Sequence, residues 1–286
     1  MSNPILVLLN GLTYGGLLFM GASGLTLLLG LMGVVNMAHG AYYLLGALIG
    51  YYVVTTVGSW SLAMLAAGVV VALLSFLVRK FLFQRVIGMG MSVTLLTIGV
   101  QMIVTDLVLW LTGGTSGLIT VPDFIGRSYN LGIVSYPGTR IFILVVAALL
   151  GVFMYVLMYK TRMGQYIRAG VDNREMATAL GININRVFTF IFMLSGFLVG
   201  LSGVLGGSYA TFTAGTTDSY ILSYSLVIIV LGGMGSIKGA AVGALIVGLV
   251  DSFSKALVPN FTPTIVFGTV ILVRASTPSG LFATTA

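Results

Sequence analysis

Apolar runs long enough to cross a lipid bilayer recur along almost the whole of this 286-residue chain. A membrane-spanning helix needs about 20 consecutive apolar residues, whereas a transmembrane β-barrel shows alternating segments of about 10 residues. The helical pattern is found at Pro4–Gly30, Ala41–Val57, Leu62–Val78, Met91–Thr112, Ile141–Tyr159 and Val187–Ser208. A further apolar region, Ile221–Arg274, is interrupted by glycine and proline, and we expect two or three spans in it. The sequence therefore predicts an all-α, polytopic integral membrane protein with about eight or nine transmembrane helices, some of them broken by glycine.

Charge is scarce in this chain, and most of it is positive. Only 7% of the residues are charged, against roughly a quarter in soluble domains, which favours a single transmembrane domain over residues 1–286. The net charge of +7 fits the excess of Lys and Arg in cytoplasmic loops better than it fits binding to a polyanion. The absence of cysteine excludes disulfides and thiolate chemistry. The N-terminal segment lacks a basic stretch followed by a cleavage site, so we expect no removable signal peptide.

The largest polar segment, residues 160–186, contains five of the 13 basic residues and two of the six acids. A connection between two spans needs far fewer residues, so its length predicts a cytoplasmic loop that binds another protein. Counting spans in both directions from this loop places ten basic residues inside and three outside, as the positive-inside rule requires. The three outside residues are Arg127, Arg140 and Lys255. The N-terminus is then outside, the C-terminus is inside, and Gly113–Thr139 is the largest outward loop.

A short helix is predicted inside this polar segment. Asp172 and Glu175 have the spacing of a capping box, in which each side chain accepts from a backbone amide at the start of the helix. Gly181 can end the helix in the left-handed conformation. The apolar side chains at Met176, Ala179 and Leu180 would be exposed to water without a partner. We therefore favour a docking helix over a loop helix without a function.

Glycines recur at four-residue spacing in the pairs Gly11/Gly15, Gly46/Gly50, Gly196/Gly200 and Gly239/Gly243. Such pairs let two helices approach closely, and we expect packing within the chain rather than a dimer face. Two passages are also similar in sequence. Leu29–Gly33 (LGLMG) is followed by Gly40, and Leu231–Gly235 (LGGMG) is followed by Gly239. Paired glycine-broken helices in the two halves of a transporter point to its substrate pathway.

Isolated polar residues within the apolar runs allow fewer conclusions. Asp106 and Asp251 are the acids expected within membrane depth, where each needs a partner or water. Asp251 precedes Lys255 by one helical turn, so an ion pair is expected there. Asp106 has no cation near it in sequence and is the better pathway candidate. The single histidine, His39, does not make a metal site alone, and we expect a hydrogen-bonded residue in the helix break or a residue beside the pathway.

Four segments resemble one family of transport proteins. Glu175-Met176-Ala177, followed by Gly181, is similar to the EAA-type coupling loop of ABC importer permeases. Residues 33–40, GVVNMAHG, resemble the N-F-A-H-G signature of LivH-type branched-chain amino acid ABC permeases. Residues 230–240, VLGGMGSIKGA, resemble that family's VLGGMGSIPGA segment, and residues 279–282, SGLF, resemble its C-terminal P-x-G-L-F ending. The resemblance covers nearly the full length of the chain. Met37, Tyr42 and Lys238 depart from the pattern, and these departures concern which substrate is carried.

The resemblance implies a permease subunit of an ATP-driven (ABC) importer for branched-chain amino acids or related small polar solutes, in the bacterial cytoplasmic membrane. The implied partners are two cytoplasmic ABC ATPase subunits, a second homologous permease, an extracytoplasmic substrate-binding protein and membrane lipid, with no nucleic acid. Residues expected to couple to the ATPase are Arg168, Asp172, Arg174, Glu175, Ala177, Leu180 and Gly181. Residues expected along the substrate pathway are Asn10, Tyr14, Asn36, His39, Gly40, Asp106, Gly233, Gly235 and Ser236.

Two other functions are alternatives to the importer. A stand-alone secondary transporter or channel for a small zwitterion would need buried ion ligands, and the chain has only six acids. An intramembrane serine protease would use the G-x-S-G pattern around Ser23 with His39 as base, but the same pattern recurs around Ser202. We therefore predict that the chain is not an enzyme. The chain has no G-x-x-x-x-G-K-[ST] sequence, so we expect no cofactor in it and ATP bound by separate subunits.

Overall fold

A computed structural model describes residues 3–33, 35–86, 90–130, 132, 134–277 and 280–282. Val34 and Ser279, which belong to the motifs quoted above, lie outside these described residues. In chain order the helices are α1 (Pro4–Met32), α2 (His39–Val57), α3 (Trp60–Leu77), α4 (Gln84–Val86), α5 (Gly90–Thr112), α6 (Asp123–Gly126), α7 (Gly138–Lys160), α8 (Arg162–Asp172), α9 (Arg174–Ala179), α10 (Ile184–Tyr209), α11 (Thr217–Gly232), α12 (Ile237–Leu257) and α13 (Thr262–Ser276). A π-helical segment, Val78–Phe83, joins α3 to α4, and a 3-10 turn, Pro259–Phe261, precedes α13.

Seven helices in the described ranges are long and apolar enough to cross a membrane, counting α3 and α4 as one continuous unit. They are α1, α2, α3–α4, α5, α7, α10 and α12. Two shorter helices complete the bundle, α11 with 16 residues and α13 with 15 residues. The all-α, polytopic membrane fold predicted from the apolar runs is thus confirmed. The interrupted region after Ile221 belongs to three helices, and α11 begins four residues before it, at Thr217.

Polar caps set many of the helix ends. Asn3 accepts a hydrogen bond from the Ile5 amide at 3.0 Å, directly before Pro4 at the first helical position of α1. Ser59 caps α3 in the same way through the Leu62 amide. α1 ends at Gly33, which has a φ of +67°, and a side chain is strained in that backbone conformation. These short-range signals explain why the predicted spans were within a few residues of the helices.

α1 and α10 occupy the centre of the bundle, because 89% and 67% of the residues in their apolar 18-residue stretches are buried. The corresponding buried share is 28% in both α5 and α7, which lie at the periphery. Glycine allows this central packing. A Cβ atom added to Gly203 of α10 would lie 2.2 Å from the Tyr43 carbonyl oxygen of α2, and one added to Gly46 would lie 2.4 Å from the Gly200 oxygen. Gly11 and Gly15 meet α12 in the same way. The expectation that the glycine pairs pack within the chain is confirmed.

The two glycine-broken passages meet in space at one end of the bundle. The Gly235 amide donates to the Thr26 carbonyl oxygen at 3.2 Å, and a Cβ atom added to Gly30 would lie 2.4 Å from the Gly235 Cα. α8 packs at the same end, because Gly170 lies against Leu31 and Val171 lies against Gly235. The predicted polar loop is therefore in direct contact with both helix breaks.

The predicted outward loop folds onto the end of α10. It contains α6 and an antiparallel hairpin of β1 (Ser128–Asn130) and β2 (Ser135–Pro137). The Ile119 amide donates to the Gly207 carbonyl oxygen at 2.9 Å, and Gly117 pairs with Phe212. Phe212 is 2% exposed. Phe212, which pairs with Gly117 of this loop, lines the cavity described below.

Candidate functional site

A cavity of about 310 Å³ with polar and apolar groups in its wall lies between the middle of α1, the first turns of α2 and α11 and the last turns of α10 and α12. Four tyrosines and a lysine line it, namely Tyr14, Tyr43, Tyr209, Tyr220 and Lys255. Three threonine residues, Thr211, Thr216 and Thr217, lie along the same wall. Ligand pockets in proteins begin at about 300 Å³, so this volume suits a small solute.

The only ion pair found among the described residues lies at this cavity. Lys255 Nζ is 2.7 Å from Asp251 Oδ2, one helical turn earlier on α12, as predicted. The Asp251 side chain is 3% exposed, whereas that of Lys255 is 55% exposed. The second carboxylate oxygen, Oδ1, accepts from the Tyr224 hydroxyl at 3.0 Å and from the Tyr220 hydroxyl at 3.2 Å. The carboxylate is thus held by three donors, while the ammonium group also faces the cavity.

Aromatic rings connect this ion pair to the rim of the cavity. Lys255 Nζ lies 5.1 Å from the Tyr14 ring centroid, and Tyr14 stacks on Tyr209 with the ring centroids 6.1 Å apart. The Arg140 guanidinium lies 5.2 Å from the Tyr209 ring centroid and donates to Asn10 Oδ1. Both cations are within the distance at which a ring face attracts positive charge. Asn10 and Tyr14, predicted together on the first span, are therefore on one polar path.

Tyr136 of β2 packs beside Arg140 and α1. Its hydroxyl is hydrogen-bonded to Thr13 Oγ1 at 2.9 Å, and the Arg140 guanidinium lies 5.8 Å from its ring centroid. Burial raises the pKa of the Tyr136 phenol, while its hydrogen bond to Thr13 and the Arg140 charge lower it less. This phenol therefore stays neutral at physiological pH and acts as a hydrogen-bonding group.

The first helix break forms a second polar region. The His39 side chain is fully buried, and its Nε2 donates to the Gly21 carbonyl oxygen at 2.9 Å. Asn36 Oδ1 accepts from the Ala38 amide at 3.2 Å and so stabilises the turn before α2. Gly40 fits directly against the Asp218 backbone, where an added Cβ atom would lie 2.0 Å from the carbonyl oxygen. Both side chains are thus hydrogen-bonded within the first helix break, and a place for Asn36 and His39 beside the substrate pathway stays a prediction.

Asp218 is a buried acid that sequence reasoning missed. Its side chain is 1% exposed, and Oδ2 accepts from Thr105 Oγ1 at 3.0 Å. Asp106, the acid chosen from sequence, is exposed on α5 rather than enclosed. The sequence places Asp218 in the first turn of a helix, where an acid is favoured by the helix dipole alone. Because the helix dipole alone accounts for an acid at this position, the sequence gives no sign that the Asp218 side chain is buried.

The second helix break is formed by backbone conformation. Gly233 has a φ of +99° and Gly235 a φ of +78°, and both values are strained for a residue with a side chain. Ser236 then starts α12 by accepting from the Gly239 amide at 3.0 Å. Gly233, Gly235 and Ser236 are far from the tyrosine-lined cavity in the fold, since Gly235 contacts α1 near its C-terminal end and α8. The predicted pathway residues therefore form separate groups rather than one site.

The polar segment between α7 and α10 contains two helices, of which sequence reasoning predicted one. α8 was missed, although Thr161 caps it through the Gly164 amide and Gly164, Ile167 and Gly170 form its buried face at three-residue spacing. The capping box at Asp172 and Glu175 is wrong. Asn173 is the cap of α9, and its Oδ1 accepts from the Met176 amide at 2.9 Å. The helix α8 continues through Asp172 because its face is still packed at Gly170 and Val171.

The end of α9 follows the prediction. Gly181 has a φ of +83°, and its amide donates to the Thr178 carbonyl oxygen at 3.0 Å. The Ile182 amide donates to the Ala177 carbonyl oxygen at 3.0 Å. Together the two bonds form a Schellman motif, which satisfies carbonyl groups left free at a helix end.

α9 presents one face to the bundle and one to the surroundings. Ala177 is 2% exposed, whereas Met176 and Leu180 are 60% and 75% exposed. The Arg174 guanidinium lies 4.9 Å from the Phe188 ring centroid and ties the helix to α10. Ala177 and Arg174 therefore fix α9 to the bundle, and Glu175, Met176 and Leu180 are exposed.

A family model described as the permease component of the branched-chain amino acid transport system matches residues 7–275. The chain belongs to this family. It is 26% identical to the high-affinity branched-chain amino acid transport system permease protein BraD of Pseudomonas aeruginosa, over 96% of this chain and 94% of that protein. It is 27% identical to LivH of Escherichia coli strain K12, over 95% and 93% of the two chains. A shorter match, 32% identical over 69% of this chain and 60% of the other, is to the ribose import permease protein RbsC of Haemophilus influenzae.

The family is one of transport permeases and not of enzymes, and the protease pattern has no catalytic geometry. Ser23 Oγ donates to the Met20 carbonyl oxygen at 3.0 Å, one turn earlier on α1. His39 Nε2 is bonded to Gly21 and is therefore not the base of Ser23. Ser23 is thus bonded within its own helix, and His39 links α2 to α1.

Proposed function

We propose that this protein is the membrane-spanning subunit of an ATP-driven importer for branched-chain amino acids or related small polar solutes. The tyrosine-lined cavity would bind the solute during transit, and α9 would transmit the motion of an ATPase. The proposed assembly contains two cytoplasmic ATPase subunits, a second homologous permease and an extracytoplasmic substrate-binding protein. ATP is bound by the separate subunits, and this chain carries no covalent chemistry. The proposed location is the bacterial cytoplasmic membrane, with the N-terminus outside and the C-terminus inside.

The observation that carries this proposal is the exposure of Met176 and Leu180. Both belong to a segment between spans, where a lipid tail does not cover them, and both lie beside the exposed carboxylate of Glu175. Met176 and Leu180 beside the acidic Glu175 would fit a groove on a partner protein that is apolar at its base and basic at its edge. Because Ala177 and Arg174 hold α9 on the bundle, force applied to its exposed face would reach α10 and the helix breaks.

The chemistry of the cavity suits a zwitterion. The Lys255 ammonium group and the threonine hydroxyls match a carboxylate, while the tyrosine ring faces match an ammonium group or an aliphatic side chain. Four aromatic walls and one cation leave no space for a large solute. This is why we propose small amino acids as the substrate class.

Docking is tested by co-purification of the ATPase from membranes in mild detergent. We expect the Met176→Asp/Leu180→Asp variant to bind the ATPase roughly thirtyfold more weakly, as for the loss of a central interface anchor. Phe124→Asp is the matched control, because Phe124 is 67% exposed in α6 on the opposite loop. Equal retention by wild type and the double variant would contradict docking at α9. If wild type retains no ATPase, a stand-alone secondary transporter replaces the importer.

Substrate contact in the cavity is tested by uptake kinetics. Tyr14→Ala removes the ring that contacts Lys255 and Tyr209, so we expect the KM of uptake to rise about tenfold. Tyr14→Phe keeps the ring and should change the KM by less than about twofold. If Tyr14→Ala lowers only the amount of folded protein and leaves the KM unchanged, the cavity is not the binding site.

A further inference from the structure

A groove runs along the outer surface between α7 and α12, with α1 as its floor, and its volume is about 380 Å³. Its lining is almost entirely hydrocarbon and includes Gly16 and Phe19 of α1, Ala148 and Gly151 of α7, and Ala241 of α12. Along α7 the lining extends from Leu144 to Tyr159, which is about 22 Å at the rise of a helix. Half of the hydrocarbon core of a bilayer is about 15 Å thick. An acyl chain from one leaflet therefore fits the groove along its length.

One end of this α7–α12 groove carries two cations. The Lys238 Nζ and the Arg168 guanidinium lie 5.0 and 5.2 Å from the ring centroid of the same tyrosine, Tyr159. Lys238 and Tyr159 line both the groove and an adjoining cavity of about 250 Å³ that also includes Arg168 and Asp172. Within the described ranges neither cation has a carboxylate within 4.0 Å, including that of Asp172. The Arg168 Nη1 atom is also buried without a hydrogen-bond partner there.

The backbone beside Lys238 adds to this positive potential. Lys238 is in the first turn of α12, whose N-terminus points toward the same cavity, and the helix dipole favours an anion at that end. An apolar groove that ends at two unpaired cations and a helix N-terminus is complementary to a molecule with hydrocarbon at one end and negative charge at the other.

We propose that the α7–α12 groove binds an anionic phospholipid, with one acyl chain along the groove and the phosphate between Lys238 and Arg168. The site is separate from the tyrosine-lined cavity and does not depend on the transported solute. Lys238 stands where the resembling family segment has proline, so the cation is a feature of this chain rather than of the pattern. The lipid joins α8 to α12 at the point where the two helix breaks meet.

The charge requirement is tested with delipidated protein in detergent, by native mass spectrometry during titration with phosphatidylglycerol. We expect Lys238→Gln and Arg168→Gln each to weaken phosphatidylglycerol binding about fivefold, and the double variant about 25-fold. Lys80→Gln is the matched control, because Lys80 is exposed and also lies over two aromatic rings, at 5.7 and 5.5 Å, yet does not line the groove. Equal binding of phosphatidylcholine by wild type, or unchanged binding by the double variant, would overturn the proposal.

The groove requirement is tested with Gly151→Phe. A Cβ atom at Gly151 lies at ordinary contact distance, 3.6 Å from Phe19, so we expect the variant to fold with its ring in the groove. We expect phosphatidylglycerol binding to fall more than tenfold, whereas Gly99→Phe, at a glycine of α5 with open space, leaves it unchanged. Competition by inorganic phosphate at the same concentrations would assign the cations to free phosphate. A change of oligomeric state in Gly151→Phe with lipid binding unchanged would assign the groove to a second protein copy. Either result would refute the lipid site.

Discussion

Lys255→Met is expected to lower the free energy of unfolding by about 2 kcal/mol, less than the roughly 3–5 kcal/mol lost when one partner of a fully buried ion pair is removed, because the Lys255 side chain is 55% exposed. The reason is the asymmetry of the pair. The Asp251 side chain is 3% exposed and the Lys255 side chain 55% exposed, so the substitution leaves a carboxylate enclosed without its cation. The two tyrosine hydroxyls that remain on Oδ1 donate hydrogen bonds but carry no charge. Unfolding followed by heat or denaturant in detergent measures the loss.

The double variant Asp251→Asn/Lys255→Met separates the charge from the packing. Asparagine keeps an oxygen that accepts from Tyr220 and Tyr224, and no charge is left enclosed. We expect this variant to be more stable than Lys255→Met alone, which gives a favourable coupling energy between the two changes. If the two single losses simply add, the ion pair contributes nothing beyond its separate side chains. Uptake by the double variant then reports whether the Asp251–Lys255 ion pair is needed for transport.

The membrane-spanning helices could be predicted from sequence because their length and apolarity are imposed by the bilayer itself. Pro4 at the start of α1 and Gly58 at the end of α2 are local signals that act within one turn of the helix. The start of α9 shows the limit of such signals. Asp172 and Asn173 both carry a side-chain oxygen that can cap a helix, and the packing of Gly170 against Leu31 decides that Asn173 does so.

The tyrosine-lined cavity was only partly predictable, because local sequence signals do not state how separate helices pack. Asn10 and Tyr14 are one turn apart on α1, so their shared face follows from helical periodicity. Arg140, Tyr209 and Tyr220 come from three other helices, and no local pattern states which faces will meet. The crossing of α2 and α10 is set by glycines whose partners are more than 100 residues away in sequence. Tertiary packing therefore assembles the site from residues that look ordinary one by one.

That crossing gives the other large effect. Gly203→Ala would place a Cβ atom 2.2 Å from the Tyr43 carbonyl oxygen, and Gly46→Ala would place one 2.4 Å from the Gly200 oxygen. Real Cβ atoms do not approach backbone this closely, so α2 and α10 must move apart. We expect each variant to lower the free energy of unfolding by about 3 kcal/mol, the upper end for overpacking in a rigid core. Gly99→Ala, where nothing lies within 4 Å, is the control and should lose no stability.

The combination of both alanines distinguishes a rigid shift of the helices from two local adjustments. If α2 and α10 separate as whole helices, the displacement caused by the first alanine already makes room for the second. The loss in the double variant should then be clearly smaller than the sum of the two single losses, as for neighbouring sites that share a backbone shift. Tyr43 also lines the cavity, so the same displacement should raise the KM of uptake in both single variants. Strictly additive losses with an unchanged KM would mean that each site relaxes locally, and that the α2–α10 crossing does not set the shape of the cavity.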